Sequence, residues 1–138
     1  MAQYMLMVYE EEVDADERAE RERELPLFVE LHRNLAAAGV LVGVKALRSP
    51  ETATSVRVRG GETEITDGPF AVTKEVLAGY YILECADLDE ALKHAARVPA
   101  AGWGTIEVRP VAPTDEWRNW AERVGVELTD EDVSNLSS

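Results

Sequence analysis

The sequence predicts an α+β domain in which helices cover one face of an antiparallel sheet. Three observations predict it: several apolar runs of strand length, amphipathic helical segments between them, and the composition of one soluble domain. The 138 residues are 46% hydrophobic and 30% charged, which excludes wholesale disorder and a fibrous repeat. We therefore expect one folded domain with a single hydrophobic core.

The first strand and first helices are predicted from residues 3–38. Residues 3–9 form a short apolar run with an aromatic residue near each end, as in a buried strand. Asp14 or Asp16 can cap the charged helix that follows. Pro26 interrupts that helix and fits the first turn of a new amphipathic segment reaching residue 38, which Gly39 ends.

The middle of the chain predicts a second strand and an inserted hairpin. Residues 40–47 form an apolar extended run. Residues 52–59 and 62–66 flank Gly60-Gly61, the pattern of a tight hairpin. A further turn is predicted at 67–70, where Asp-Gly-Pro is followed by a phenylalanine expected to fill the core.

The last third predicts a strand, a helix and a strand. Residues 80–85 are the clearest buried strand. Asp87 and Glu90 have the spacing of a capping box that opens a helix through residue 97, and residues 105–111 form a final strand. The inner face of this helix is predicted to contain Leu88, Ala91, Leu92 and Ala95.

Without the hairpin, the order of elements is βαββαβ, the ferredoxin-like arrangement. We predict a domain over residues 1–111 and a helical extension over 112–138, in which Trp117 and Trp120 are spaced to dock on an apolar surface. The sheet face that the helices leave bare needs a cover. A second copy of the chain is the simplest cover, so we expect a homodimer that buries sheet against sheet.

The net charge of −13 disfavours direct binding to nucleic acid or anionic lipid. Most of this charge lies at the ends: residues 1–30 carry ten acids and three bases, and residues 112–138 carry seven acids and two bases. No apolar stretch is long enough to span a bilayer and no signal peptide is evident, so we expect a cytoplasmic protein. The acidic ends could meet a basic protein partner.

Six ordered segments resemble one protein family. They are residues 5–9, 53–57, 66–75, 79–84, 87–91 and 107–110, and the third contains Asp67-Gly68-Pro69-Phe70. Together they resemble the YCII-related proteins of the DGPF-motif branch, over roughly residues 3 to 111.

This resemblance implies a dimeric ferredoxin-like α+β fold in bacterial cytoplasmic proteins, some of them encoded near extracytoplasmic-function sigma factors. In the YCII-like branch a histidine and an aspartate on the first helix are suggested as a catalytic pair. The corresponding places here hold Phe28 and a residue near Ala37, so that pair is not carried over.

The candidate catalytic residues are Asp67, His32 and Lys74, which could share a ligand near a cleft and move a proton. Two of them also have a structural explanation: Asp67 in a rigid turn and His32 in a helix face bonded to a carbonyl. The candidate ligand-binding residues are Tyr9, Arg57, Glu75, Tyr81 and Arg109. The two arginines could instead pair with Glu84 and Glu107.

No cofactor fingerprint is present, and neither a cofactor nor a metal is expected. Cys85 is expected to be an inert core thiol, and His94 to be solvated. Two hypotheses of function follow. The first is a homodimer that binds a small organic molecule near the DGPF segment, with cofactor-free proton-transfer, lyase or isomerase chemistry; whether it is an enzyme stays open. The alternative is a regulatory or protein-interaction module linked to sigma factors.

Overall fold

The computed structural model describes residues 1–137 of the chain. The strands are β1 (Ala2–Glu11), β2 (Leu41–Ala46), β3 (Thr54–Arg59), β4 (Glu62–Asp67), β5 (Glu75–Cys85) and β6 (Thr105–Pro110). The helices are α1 (Ala15–Glu22), α2 (Leu25–Ala37), α3 (Leu88–Ala96), α4 (Thr114–Arg123) and α5 (Asp130–Ser137). No helix among the described residues is both long and apolar enough to cross a bilayer.

Four strands form one antiparallel sheet in the order β2-β5-β1-β6. The two longest strands, β1 and β5, lie in its centre and pair over their whole length. Because β3 and β4 form a separate ribbon, the remaining βαββαβ order and this strand order confirm the predicted ferredoxin-like fold.

The core lies between one face of the sheet and helices α2 and α3. Every second residue of β1 and β5 points to this face, which we call the helix-covered face. Its buried residues are Tyr4, Leu6, Val8, Tyr81, Leu83 and Cys85 from these strands, with Leu31, Leu35, Ala91 and Ala95 from the helices. The prediction that Leu88 and Leu92 lie on the inner face of α3 is wrong, since each is 46% exposed. Of the four predicted residues, only Ala91 and Ala95 are buried.

The opposite face of the sheet, which points away from α2 and α3, is called the open face. Met5, Met7, Tyr80 and Ile82 alternate with the core residues and are therefore on this face, each half-buried.

Local sequence signals place the helix ends as predicted. The Asp14 carboxylate accepts from the Glu17 backbone N–H at 2.9 Å and so caps α1. Pro26 occupies the first turn of α2, and Gly39 follows this helix with a φ of +73°, a left-handed conformation that favours glycine.

Strands β3 and β4 form a ribbon that projects from the sheet. Gly60 and Gly61 both have positive φ, as the predicted two-residue turn requires. The following segment, residues 67–70, is called the DGPF loop. It is tied to the start of β3, because Gly68 N–H donates to the Ala53 carbonyl at 2.7 Å. Phe70, two residues further on, is 81% exposed, so the prediction that Phe70 fills the core is wrong.

The C-terminal helix α4 presents an aromatic pair. The rings of Trp117 and Trp120 lie 5.5 Å apart between centroids, and the two residues are 38% and 53% exposed. Ala121 on the same helix is buried.

Candidate functional site

The structure distributes the predicted site residues over three regions. Because His32 is on α2 and Tyr81 on the inner side of β5, this pair belongs to the helix-covered face. Tyr9 and Glu75 lie at one end of the open face, next to Lys74. The projecting ribbon and the edge strand β6 hold the remaining three, Arg57, Asp67 and Arg109.

His32 and Tyr81 contact each other directly. The His32 Nε2 atom lies 2.7 Å from the Tyr81 hydroxyl oxygen, and the two rings meet edge-on. Burial lowers the pKa of His32 and raises the pKa of Tyr81 to about 12. Near neutral pH the pair therefore consists of an uncharged imidazole and a protonated phenol. The prediction that His32 bonds to a carbonyl is wrong, because its Nε2 atom bonds to the Tyr81 hydroxyl instead.

Lys74 and Asp67 are not in contact with this pair. Lys74 Nζ lies 3.3 Å from Glu11 Oε1, and Lys74 is exposed. Asp67 is exposed at the end of β4, opposite Thr54. Within residues 1–137, no hydrogen bond or ion pair joins Asp67, Lys74 and His32 to one another, so their shared catalytic role stays a prediction.

A cavity of about 580 Å³ lies beside the DGPF loop. It is bounded by the end of the open face, the segment that links β2 to β3, and the loop itself. The lining residues are Tyr9, Leu47, Arg48, Ser49, Pro50, Thr52, Ala53, Pro69, Phe70, Ala71, Thr73, Glu75, Val76 and Leu77. Of the predicted ligand-binding residues, Tyr9 and Glu75 line this cavity, whereas Arg57, Tyr81 and Arg109 do not.

Some polar groups of this cavity have hydrogen-bond partners within the protein, and one charged group has no ion-pair partner. The Thr73 hydroxyl donates to the Glu75 carbonyl at 2.6 Å, and the Thr105 hydroxyl donates to the Glu75 carboxylate at 3.2 Å. The Ser49 hydroxyl donates to Glu51. In contrast, the Arg48 guanidinium makes no ion pair with any residue that the structure describes. Arg48 is therefore the cation that this cavity offers to a ligand.

A second cavity, of about 520 Å³, lies on the other side of the sheet near α1 and α2. Two of its charged side chains, Glu10 and Arg21, have partners in the structure. The Trp103 indole N–H donates to Glu10 Oε2 at 2.7 Å, while the Arg21 guanidinium lies 5.5 Å from the centroid of the Trp103 ring and donates to the Glu11 carbonyl at 3.1 Å. This network holds β1, α1 and the loop before β6 together. Five of the nine lining residues of this cavity are charged, so it is less apolar than the cavity beside the DGPF loop.

Comparison with known proteins agrees with this fold. The YCII-related domain matches residues 2–117. The chain belongs to the YCII-related family. A relative from Rhizobium meliloti (strain 1021), described as "Uncharacterized protein R00369", is 39% identical over 113 residues, which cover 79% of this chain and 91% of the relative.

Sequence reasoning missed several residues that the structure places at sites in this YCII-related protein. Arg48 lies in a segment without a motif, and only its adjacency to the turn-forming Ser49-Pro50 pair marks it as a loop residue. Trp103 and Glu10 are 93 residues apart, so nothing local signals their contact. Cys85, Glu90 and His94 form a third missed group, although the four-residue spacing of Glu90 and His94 on a helix was a readable signal.

Proposed function

We propose that this YCII-related protein binds a small organic anion with an apolar body in the cavity beside the DGPF loop, and that it does so as a homodimer. The observation that carries the ligand proposal is the pairing of an apolar cavity with one unpaired cation, Arg48. A guanidinium recognises a carboxylate or phosphate through two parallel hydrogen bonds.

The size and lining of the cavity support a small-molecule ligand. Its volume of about 580 Å³ falls within the usual range for ligand sites. Most of the lining is apolar or aromatic, including Leu47, Pro69, Phe70 and Leu77, and polar groups are few. An apolar body would contact these side chains while its anionic group reaches Arg48.

Chemistry on such a ligand would depend on Glu75 and Tyr9. Glu75 is the carboxylate that lines the cavity, and the Thr105 hydroxyl donates to it. The Tyr9 hydroxyl has only a weak 3.9 Å contact to the sulfur of Met7, so it is available as a donor. A carboxylate base beside a phenol donor suits cofactor-free proton transfer, as in an isomerase or lyase.

The homodimer is supported by the open face of the sheet. Helices cover only one face, and the other presents Met5, Met7, Tyr80 and Ile82. Tyr9 and Leu77, which line the cavity, lie at the end of this same face. A second copy packed on the open face would bury the methionines and would also close the cavity from one side.

The ligand proposal is tested by titrating isotope-labelled protein with benzoate, octanoate and their uncharged amides while recording amide resonances. The proposal expects shifts in residues 47–53 and 69–77 with the carboxylates and much weaker shifts with the amides. Shifts confined to other regions, or no shifts with any carboxylate, would contradict it.

The exposed pair on α4 favours a second candidate function, an interaction module. Trp117 and Trp120 lie on a helix whose first turn is acidic, in the segment that carries much of the negative charge. A basic partner with an apolar patch, such as a region of a sigma factor, would match both features. The test is tryptophan fluorescence of a Trp103→Phe variant during titration with that region. A response lost in Trp117→Ala supports an interaction module, and no response contradicts it.

A further inference from the structure

Three side chains with metal-binding atoms meet at the end of β5. Cys85 is the last residue of that strand, and Glu90 and His94 lie one turn apart on α3. One ligand atom from each, the thiol sulfur, a carboxylate oxygen and an imidazole nitrogen, all lie within 4.8 Å of one another.

The local sequence explains this convergence. Asp87 caps α3 by accepting from the Glu90 backbone N–H at 2.9 Å, so only two residues separate the end of the strand from the start of the helix. Residues four apart on a helix share one face, and this places Glu90 and His94 side by side above Cys85. The Glu90 side chain also accepts from the backbone N–H of Ala86, which fixes one carboxylate oxygen and leaves the other toward His94.

His94 carries the second, independent observation. Both of its ring nitrogens are inaccessible to solvent, and neither has a hydrogen-bond partner among the described residues. The closest oxygen, Glu90 Oε1, lies 3.7 Å from Nε2, which is too far for a hydrogen bond. The prediction that His94 is solvated is therefore wrong. Buried imidazole nitrogens normally have a partner, so a partner is missing here.

We propose that Cys85, Glu90 and His94 bind one divalent cation of the zinc class. A sulfur, a nitrogen and an oxygen ligand suit Zn²⁺, which takes such mixed sets in tetrahedral sites. On binding, the Cys85 thiol gives its proton to solvent and forms a sulfur–metal bond, so that one thiolate and one carboxylate balance the two positive charges. The Glu90 side chain is 36% exposed, and a water molecule reaching the metal from that side would complete the four ligands.

This site is separate from the proposed ligand cavity. It lies on the helix-covered face at the outer end of β5, and none of its three residues lines the cavity beside the DGPF loop. Failure of either proposal therefore leaves the other standing.

The first test is a Zn²⁺ titration of tag-free, metal-stripped protein in competition with a chromogenic chelator. We expect the unaltered protein to bind one Zn²⁺ per chain. His94→Gln and Cys85→Ala should each bind Zn²⁺ at least about tenfold more weakly than the unaltered protein. His32→Gln is the matched control, because it removes the other histidine, and it should bind as the unaltered protein does. Circular dichroism of each variant shows whether it is folded before titration.

The second test replaces Zn²⁺ with Co²⁺ and compares the unaltered protein with Cys85→Ala. A tetrahedral site with one thiolate ligand gives strong visible bands and a thiolate-to-cobalt charge-transfer band in the near ultraviolet, which should disappear in Cys85→Ala. Folded protein that binds no Zn²⁺, a Co²⁺ spectrum without the charge-transfer band, or unchanged binding in folded His94→Gln would overturn the proposal.

Discussion

His32 on α2 and Tyr81 on β5 are joined by a hydrogen bond of 2.7 Å, although 49 residues separate them in the chain. The bond links a helix to a central strand within the core. Tyr81 is 3% exposed, and the Phe28 ring packs edge-on against the imidazole. His32 therefore has a structural role that links α2 to the sheet.

Replacing Tyr81 with phenylalanine removes the phenolic partner of His32 and keeps the ring. We expect Tyr81→Phe to lower the free energy of unfolding by about 1 kcal/mol, the usual net value of one such bond. Urea denaturation followed by circular dichroism measures it. Tyr80→Phe is the matched control, because Tyr80 is the adjacent residue on the open face, and equal losses in both variants would contradict this role of the bond.

The lowered pKa of His32 predicts a pH dependence of stability. The unfolded chain takes up a proton near the ordinary histidine pKa of 6.5, while the folded chain resists it until lower pH. The stabilising contribution is therefore complete above pH 6.5 and is lost as the pH falls through the lowered pKa. The fall in stability between pH 7.5 and pH 5 should be smaller in His32→Gln; an equal fall in both proteins contradicts the assignment.

Gly104 allows the chain to pass close to β1. A Cβ atom at this position would collide with the Tyr9 carbonyl oxygen, whereas a Cβ at Gly102 would meet nothing within 4 Å. Gly104→Ala should therefore destabilise the fold by about 1–3 kcal/mol through overpacking, and Gly102→Ala by clearly less. Thermal unfolding of both variants measures the difference, and similar melting temperatures would show that the contact relaxes without cost.

Ile82 lies near the middle of the open face, paired with Met5 on one side and Gly43 on the other. If a second copy covers this face, a lysine at position 82 places a charge inside the interface. Sedimentation velocity should then show a dimer for the unaltered protein and a monomer for Ile82→Lys. Val58→Lys also replaces an apolar side chain with lysine, but it lies on the projecting ribbon, so this control variant should remain dimeric. A monomeric unaltered protein would contradict the proposed dimer.

The elements that local chemistry determines were predictable from sequence. Asp14 caps α1 by accepting from the backbone N–H of Glu17, three residues further along the chain. Gly60 and Gly61 form a turn with positive φ values, which glycine adopts most readily. The apolar run at residues 3–9 predicted a buried strand, and β1 is that strand. These signals depend on neighbours within a few residues.

The arrangement of the site depends on distant contacts and was only partly predictable. Tyr9 and Glu75, two of the predicted ligand-binding residues, line the cavity. Arg48 was not predicted, because it enters the cavity only where two connecting segments meet. Phe70 is as hydrophobic as a core residue, yet it is 81% exposed in a loop that is hydrogen-bonded to Ala53 through Gly68. Hydrophobicity alone does not specify which surface an aromatic side chain meets.

The central claim is that the cavity beside the DGPF loop binds an organic anion through Arg48, and calorimetric titration of matched arginine variants with benzoate tests it most directly. Arg57 is the control, since it is an exposed arginine on β3 that does not line the cavity. We predict that Arg48→Gln weakens benzoate binding by about tenfold or more, the value of a charge-assisted hydrogen bond, while Arg57→Gln leaves it unchanged. Equal affinities in Arg48→Gln and the unaltered protein, or no binding of benzoate and octanoate to either, would contradict it.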